Sequence, residues 1–272
     1  MIPQWMVRTL KIETELGNGI LTSFIIVLLI LQFDQRWRVI YYTFILSLYI
    51  IMNVVLKMLD EQGRPSWYDP SIVVGKFNCN LEFGNPSGHA LEAAAVSLSM
   101  YLDFMLTFKG RGKAYTLCAI AFLPLPVTYT LTMGLSRVVV GVHAWNQVIQ
   151  GWLLGLWLAL FCSLICRDAI QRHVNSLLSG NSIYSIGRYA KILITFFLIN
   201  FGILAGLFVT VSSDLRKMRI SEQLVANIES VCQDRFQPEE SFHVVGLKDA
   251  AFALMFFGAA AGLLLQTRFF HG

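Results

Sequence analysis

One arginine and one histidine lie six residues apart in the stretch 136–147, between two long apolar runs. They are Arg137 and His143. Arginine presents a planar fork of N–H donors that matches phosphate oxygens, and histidine can act as a nucleophile or a proton carrier near neutral pH. The pair alone is ambiguous, because both residue types also serve as anchors at membrane interfaces. Two earlier stretches favour a chemical role.

A second set of polar residues flanks two other apolar runs. Lys57 and Arg64 follow one run, and Pro86-Ser87-Gly88-His89 opens the next. Taken singly, Lys57 can extend along apolar surface to the interface, and Pro-Ser-Gly can simply begin a helix. Together with the first pair, however, the chain offers three cations and two histidines at membrane depth. Ionisable groups are costly there and usually functional.

These residues suit the binding of a phosphate ester. Positive charge would neutralise the phosphate oxygens, and backbone N–H groups at a helix start would add donors at the positive end of the helix dipole. The predicted phosphate-binding residues are Lys57, Arg64 and Arg137, with the backbone of Ser87 and Gly88.

The two histidines would divide the chemistry of hydrolysis. We expect His143 to attack phosphorus, and His89 to protonate the leaving alkoxide and then to activate water. The fixed cations supply the charge stabilisation that a metal would otherwise give. No acid cluster with metal-ligand spacing is evident. The sequence therefore predicts a metal-independent phosphatase that uses no cofactor.

Composition places this chemistry in a membrane. Of the 272 residues, 56% are hydrophobic and only 14% are charged, against about a quarter charged in soluble domains. The chain is therefore expected to contact a lipid bilayer. Its net charge of +4 is modest and includes no basic run, which argues against nucleic acid as a partner.

Seven apolar segments have roughly the length needed to cross a bilayer. They are 18–33, 39–59, 87–108, 114–134, 145–166, 189–211 and 247–266. The fold class predicted is an all-α, polytopic membrane bundle of about seven transmembrane helices. We expect one integral-membrane phosphatase domain over residues 1–272, with its core motifs in 57–147 and C-terminal helices in 189–266. Pro124 and Pro126 predict an irregular fourth helix.

Counting the segments assigns each loop to a side of the membrane. The N-terminus and the three motifs fall on one side, while short loops rich in lysine and arginine fall on the other. The positive-inside rule makes the second side cytoplasmic. The N-terminus and the candidate site are then predicted to be lumenal, and the C-terminus cytoplasmic.

The three motifs in this order resemble the type-2 phosphatidic acid phosphatase superfamily. They read Lys57-x6-Arg64-Pro65, Pro86-Ser87-Gly88-His89 and Ser136-Arg137-x5-His143. The superfamily includes lipid phosphate phosphatases, glucose-6-phosphatases and vanadium haloperoxidases. The resemblance implies a helical core and a phosphohistidine intermediate. It also implies His143 as nucleophile, His89 as acid, and the five phosphate-binding residues named above.

Other residues resemble the glucose-6-phosphatase branch. Gln147 stands where most of the superfamily has aspartate, and that branch has glutamine there. We predict that the Gln147 amide oxygen accepts the Nδ1–H of His143 and leaves Nε2 free to attack. Cys79 and the stretch 231–239 also resemble that branch, which usually has nine membrane helices. Cys79 and Cys232 are predicted on the same side of the membrane, where a disulfide is permitted; free thiols are the alternative.

The function predicted is hydrolysis of a small phosphomonoester, a sugar phosphate such as glucose 6-phosphate, in the endoplasmic reticulum membrane. A lipid phosphatase acting on phosphatidate or a sphingoid phosphate is the first alternative. The second is a catalytically idle homologue that serves as a subunit of a membrane assembly.

Overall fold

The computed structural model describes residues 35–72, 82–108, 110, 112–179, 186–216, 221–232 and 254–270. All secondary-structure elements in this part of the chain are helices. In chain order they are α1 (Arg36–Asp60), α2 (Pro65–Tyr68), α3 (Gly88–Phe108), α4 (Lys113–Phe122), α5 (Pro124–Val139), α6 (Trp145–Phe161), a π-helical turn (Cys162–Cys166), α7 (Arg167–Leu178), α8 (Ile186–Arg216), α9 (Glu222–Cys232) and α10 (Met255–Phe270).

Five helical stretches are long and apolar enough to cross a membrane, and they confirm the all-α membrane bundle. They are Arg36–Tyr68, Gly88–Phe108, Lys113–Val139, Trp145–Leu178 and Gly187–Gly206. Each overlaps one of the predicted segments two to six. The last predicted segment overlaps α10, whose apolar part, Phe256–Thr267, is shorter. The first predicted segment, 18–33, lies outside the described residues.

The central contact of the bundle is the packing of α3 against α6. A Cβ on Gly151 would lie 2.7 Å from the Ser87 carbonyl oxygen, and one on Gly155 would lie 2.5 Å from that of Leu91. Only glycine permits such an approach of two helix backbones. Because residue numbers rise together along this contact, α3 and α6 run parallel. Their first turns, which adjoin His89 and His143, therefore lie at the same end of the bundle.

Helix α5 ends later than the predicted segment 114–134. The predicted segment ended at Gly134, but the helix continues to Val139 and carries Arg137 in its last turn. A Cβ on Gly134 would collide with the ring of Trp152, whose Nε1–H donates to the Thr130 carbonyl oxygen at 3.0 Å. Gly134 thus permits close packing of α6 and does not end the helix. The irregularity predicted from Pro124 and Pro126 lies before Gly134 in the chain. There Leu123 separates α4 from α5, and Pro124 is the first residue of α5.

The predicted segment 145–166 also continues past its predicted end. Helix α6 passes through the π-helical turn into α7, which ends at Leu178. The amphipathic α7 extends the bundle at the end opposite the two histidines.

That opposite end contains a buried ionic cluster centred on Asp103. Its carboxylate accepts hydrogen bonds from Arg38 Nε at 2.9 Å and from Arg167 Nε at 2.6 Å. The Tyr42 hydroxyl donates to the same carboxylate at 3.2 Å, and both guanidinium groups also donate to Thr107 Oγ1. The cluster ties α1, α3 and α7 together.

Candidate active site

The candidate site forms where two helices end and two begin. Lys57 lies in the last turn of α1, and Arg137 in the last turn of α5. His89 is the second residue of α3, and His143 lies in the connection just before α6. The structure therefore brings together all three motifs, which are up to 86 residues apart in the chain.

His143 is held at both ring nitrogens. Its Nε2 lies 3.3 Å from Arg64 Nη1, and its Nδ1 lies 3.1 Å from Gln147 Oε1. A guanidinium group can only donate, so Nε2 is assigned as the acceptor and Nδ1 as the protonated nitrogen. Both contacts favour the same tautomer, in which the lone pair required of a nucleophile is on Nε2.

The ring is also held in its neutral form. Burial lowers the pKa of His143 well below its ordinary value, and the positive charges of Arg64, Arg137 and Lys57 lower it further. The hydrogen bond to Gln147 acts in the opposite direction but is outweighed. His143 is therefore unprotonated at neutral pH, as a nucleophile must be.

Gln147 orients the ring through a fixed amide. Its Nε2 donates to the Gly63 carbonyl oxygen at 2.9 Å and to Gln62 Oε1 at 3.3 Å, which assigns the amide orientation. Its Oε1 then faces His143 and also accepts the backbone N–H of Ala144 at 3.2 Å. The contact that the spacing predicted is present. Gly84 leaves room for it, because a Cβ there would lie 2.7 Å from the amide.

Backbone hydrogen bonds position His143 at the end of α5. The N–H groups of Val142 and His143 both donate to the Arg137 carbonyl oxygen, at 3.2 and 3.3 Å. Gly141 takes a positive φ of 78°, which an L side chain rarely adopts. Arg64 Nη1 donates to the Val142 carbonyl oxygen at 3.0 Å and thus secures the same turn.

The three predicted cations are buried beside the histidines. Arg64 and Arg137 are each 2% exposed and Lys57 is 5% exposed. Their charges act on His143 and on the half-buried His89. The structure thus brings five of the predicted side chains together at one end of the bundle, where three of them are buried cations.

The Ser87 backbone N–H, predicted to bind phosphate, has a partner within the protein. Its N–H donates to the Gln147 carbonyl oxygen at 3.0 Å, because the starts of α3 and α6 are joined there. The Ser87 hydroxyl is buried and has no hydrogen-bond partner among the described residues. Of the Ser87 groups, the hydroxyl is therefore the one without a hydrogen-bond partner among these residues. Gly88 packs closely against Asn53. A Cβ added to Gly88 would lie 3.1 Å from the side-chain amide nitrogen of Asn53.

Glu82 is a member of the site that the motifs did not reveal. Its Oε1 lies 2.6 Å from Lys57 Nζ and 2.9 Å from Arg64 Nη2. Its backbone oxygen accepts Arg64 Nε at 2.9 Å. The sequence offered only a weak signal, an acid seven residues before His89 in a stretch without periodicity. Within the described ranges, no group of three His, Cys, Asp or Glu side chains is suited to a metal ion.

The cysteines divide as their positions suggest. Cys118, Cys162 and Cys166 are free, and Cys232 is disulfide-bonded. Cys79, its predicted partner, lies outside the described residues, so the pairing stays a prediction. The second part of the stretch 231–239 also lies outside them.

A comparison with known families agrees with the architecture of this site. Residues 19–171, more than half of the chain, match the PAP2 superfamily model. The chain belongs to the PAP2 superfamily, as the motifs predicted.

Individual relatives sharpen that assignment. The chain is 30% identical over 187 residues to glucose-6-phosphatase catalytic subunit 1 of Canis lupus familiaris, a match covering 62% of this chain and 48% of the dog protein. The Felis catus protein is 29% identical over the same shares, and the Bos taurus protein is 29% identical over 166 residues. The predicted likeness to the glucose-6-phosphatase branch is confirmed. The chain spans about half the length of the curated relatives it matches, and no solved structure matches it significantly.

Proposed function

We propose that this chain is a membrane phosphatase that hydrolyses a small phosphomonoester, a sugar phosphate such as glucose 6-phosphate, through a phosphohistidine at His143. The observation that carries the proposal is the double restraint of the His143 ring. A buried, neutral imidazole with an acceptor at Nδ1 and a guanidinium donor at Nε2 is prepared for attack on a bound phosphate.

In the first step a P–N bond forms and a P–O bond breaks. The phosphate oxygens would bind Lys57, Arg64 and Arg137, which places phosphorus next to Nε2 of His143. The lone pair of Nε2 forms the bond to phosphorus, and the electrons of the P–O bond leave with the alkoxide. His89 gives its proton to that alkoxide.

In the second step water takes the place of the alcohol. His89 accepts a proton from water, whose oxygen attacks phosphorus. The P–N bond breaks, its electron pair returns to Nε2, and inorganic phosphate leaves. Gln147 would hold the ring in one tautomer throughout and stabilise the positive phosphoimidazole through its Oε1.

The substrate class rests on the glucose-6-phosphatase likeness together with Gln147. We propose one phosphatase domain over residues 1–272, with its site facing the lumen of the endoplasmic reticulum and its C-terminus in the cytoplasm. The orientation is supported by the lysine and arginine bias of the short loops.

The test is phosphate release from glucose 6-phosphate and from phosphatidate, assayed in parallel on purified full-length protein without added metal. Wild type is expected to release phosphate from the sugar ester, and His143→Ala from neither. Turnover of phosphatidate alone would establish the lipid phosphatase. Release from neither substrate by folded wild type would favour the idle homologue.

A further inference from the structure

Glu82 occupies the positions where phosphate oxygens would bind. A single carboxylate oxygen contacts Lys57 Nζ at 2.6 Å and Arg64 Nη2 at 2.9 Å. These are the donors through which two of the three site cations would grip a substrate. A negative oxygen bridging them is a close chemical analogue of a phosphate oxygen.

We propose that Glu82 determines the phosphate affinity of this site: its carboxylate holds the place of a phosphate oxygen in the unliganded protein, and substrate or inorganic phosphate displaces it. The inference rests on the proposed function, because it takes Lys57 and Arg64 as the phosphate-binding cations. Neither the superfamily motifs nor the predicted mechanism assigns a role to this residue.

The structure permits the carboxylate to leave without disturbing Arg64. Arg64 is held independently by two backbone carbonyl oxygens, those of Glu82 at 2.9 Å and Val142 at 3.0 Å. Glu82 lies outside the helices, and its side chain is 16% exposed. A change of side-chain rotamer would therefore vacate the bridging position while Arg64 stays in place.

The Glu82 carboxylate, which would compete with phosphate for the two cations, is charged at neutral pH. Burial acts to raise the pKa of Glu82, but the positive charges of Lys57 and Arg64 outweigh burial and hold that pKa below its ordinary value. The carboxylate is consequently ionised at neutral pH. An incoming anion must replace one negative charge that is already well placed.

This competition gives the site a preference among anions. A singly charged phosphodiester or carboxylate would exchange one negative charge for another and gain little. A phosphomonoester dianion brings a second charge and more oxygens to the same cations, so it can displace Glu82. Glu82 would weaken the binding of inorganic phosphate to a similar degree as that of substrate. Weaker binding of phosphate favours its release as product.

Removal of the charge should tighten phosphate binding. Glu82→Gln keeps the shape of the side chain but replaces the charged competitor by a neutral amide. Losing a charge-assisted contact of this kind corresponds to about a tenfold change in affinity. We therefore expect KM and the inhibition constants for phosphate and vanadate to fall together, since binding is altered equally in ground and transition states.

The experiment is direct binding of inorganic phosphate to the full chain in nanodiscs, measured on wild type, Glu82→Gln and the control Glu229→Gln. Glu229 is an exposed glutamate on α9, so the control makes the same chemical change at a site without an ion pair among the described contacts. Each form is also made with His143→Ala, which removes turnover but leaves the cations.

Tighter binding by about tenfold in Glu82→Gln alone supports the proposal. Equal or weaker binding, or no binding by any form, would overturn it, because Glu82 would then be a structural partner of the cations. If Glu82→Gln does not fold, Glu82→Ala serves instead: it removes the carboxylate altogether, so binding is again expected to tighten. Tightened binding without any phosphomonoester hydrolysis would instead refute the proposed function.

Discussion

The two ends of the bundle each bury one carboxylate between two cations, but they do so differently. At one end Asp103 lies on α3 and contacts Arg38 and Arg167, both on helices. At the other end Glu82 lies in a non-helical segment and contacts Lys57 and Arg64. The Asp103 side chain is 5% exposed and uses both oxygens, whereas that of Glu82 is 16% exposed and uses one oxygen for both cations.

The difference separates an ionic cluster that holds helices from one that can exchange its anion. Around Asp103, Tyr42 and Thr107 satisfy further donors and acceptors, and Trp37 stacks with both guanidinium groups at 5.1 Å. Opening the Asp103 cluster would break all of these contacts. Around Glu82, the Nε2 of His143 lies beside the same Arg64 guanidinium group. An ion pair of the same kind thus joins helices at one end and lies next to the proposed nucleophile at the other.

The largest effect expected is at the nucleophile. His143→Ala should lower kcat by on the order of 10⁴-fold or more, as loss of a nucleophile does in other hydrolases, in a protein that still folds. The matched control is His173→Ala, an exposed histidine on α7 at the opposite end. The rate of phosphate release and the Tm of both variants are measured in the same detergent and compared. Equal losses of activity would remove the distinction between the two ends.

Next in size is the loss of the Asp103 charge. Asp103→Asn leaves two guanidinium groups without their carboxylate and should cost about 3–5 kcal/mol of stability. Specific activity per folded molecule should be retained. The control is Asp168→Asn, which removes a carboxylate from the same Arg167 but at a side chain that is 67% exposed, and should change little. Thermal unfolding and normalised activity are the measurements. Lost activity with unchanged Tm would place Asp103 in the catalytic machinery.

A smaller effect is expected at Gln147. Gln147→Leu removes the acceptor of Nδ1–H and should lower kcat by roughly 10- to 100-fold, the range for residues that orient a reacting ligand. Gln147→Asp restores an acceptor and should recover activity, unless its charge slows breakdown of the phosphohistidine. Single-turnover rates of formation and breakdown distinguish these two cases. Wild-type kcat in Gln147→Leu would mean that another group orients His143.

The smallest effect is expected from chelation. Because Lys57, Arg64 and Arg137 supply positive charge, EDTA should change kcat/KM by less than roughly twofold. Vanadate should inhibit, since it resembles the trigonal-bipyramidal transition state. Activity assays with and without EDTA, after dialysis, check this. Restoration of lost activity by a divalent cation would assign part of the charge to a metal.

The site was predictable from sequence where spacing determines chemistry. The motifs named both histidines and all three cations, and the four-residue spacing of His143 and Gln147 predicted their hydrogen bond. The structure reaches that contact differently, however. His143 precedes α6, and Gln147 extends back from the first helical turn, as long side chains in helices do.

Other features depended on tertiary contacts that no local pattern carries. Gly134 resembles a helix end but accommodates Trp152 within a longer α5. The Ser87 amide is used by Gln147, a partner 60 residues away. Glu82 can be recognised as a site residue only in the folded protein, where it contacts Lys57 and Arg64.

The most direct test of the central claim is to trap the covalent intermediate. Wild-type protein would be mixed with phosphate-labelled glucose 6-phosphate, denatured within one turnover in alkaline detergent, which preserves phosphohistidine, and digested for peptide mapping. We expect label on the peptide containing His143 in the wild type, and none in His143→Ala. Label on any other residue, or active turnover that never labels the protein, would contradict it.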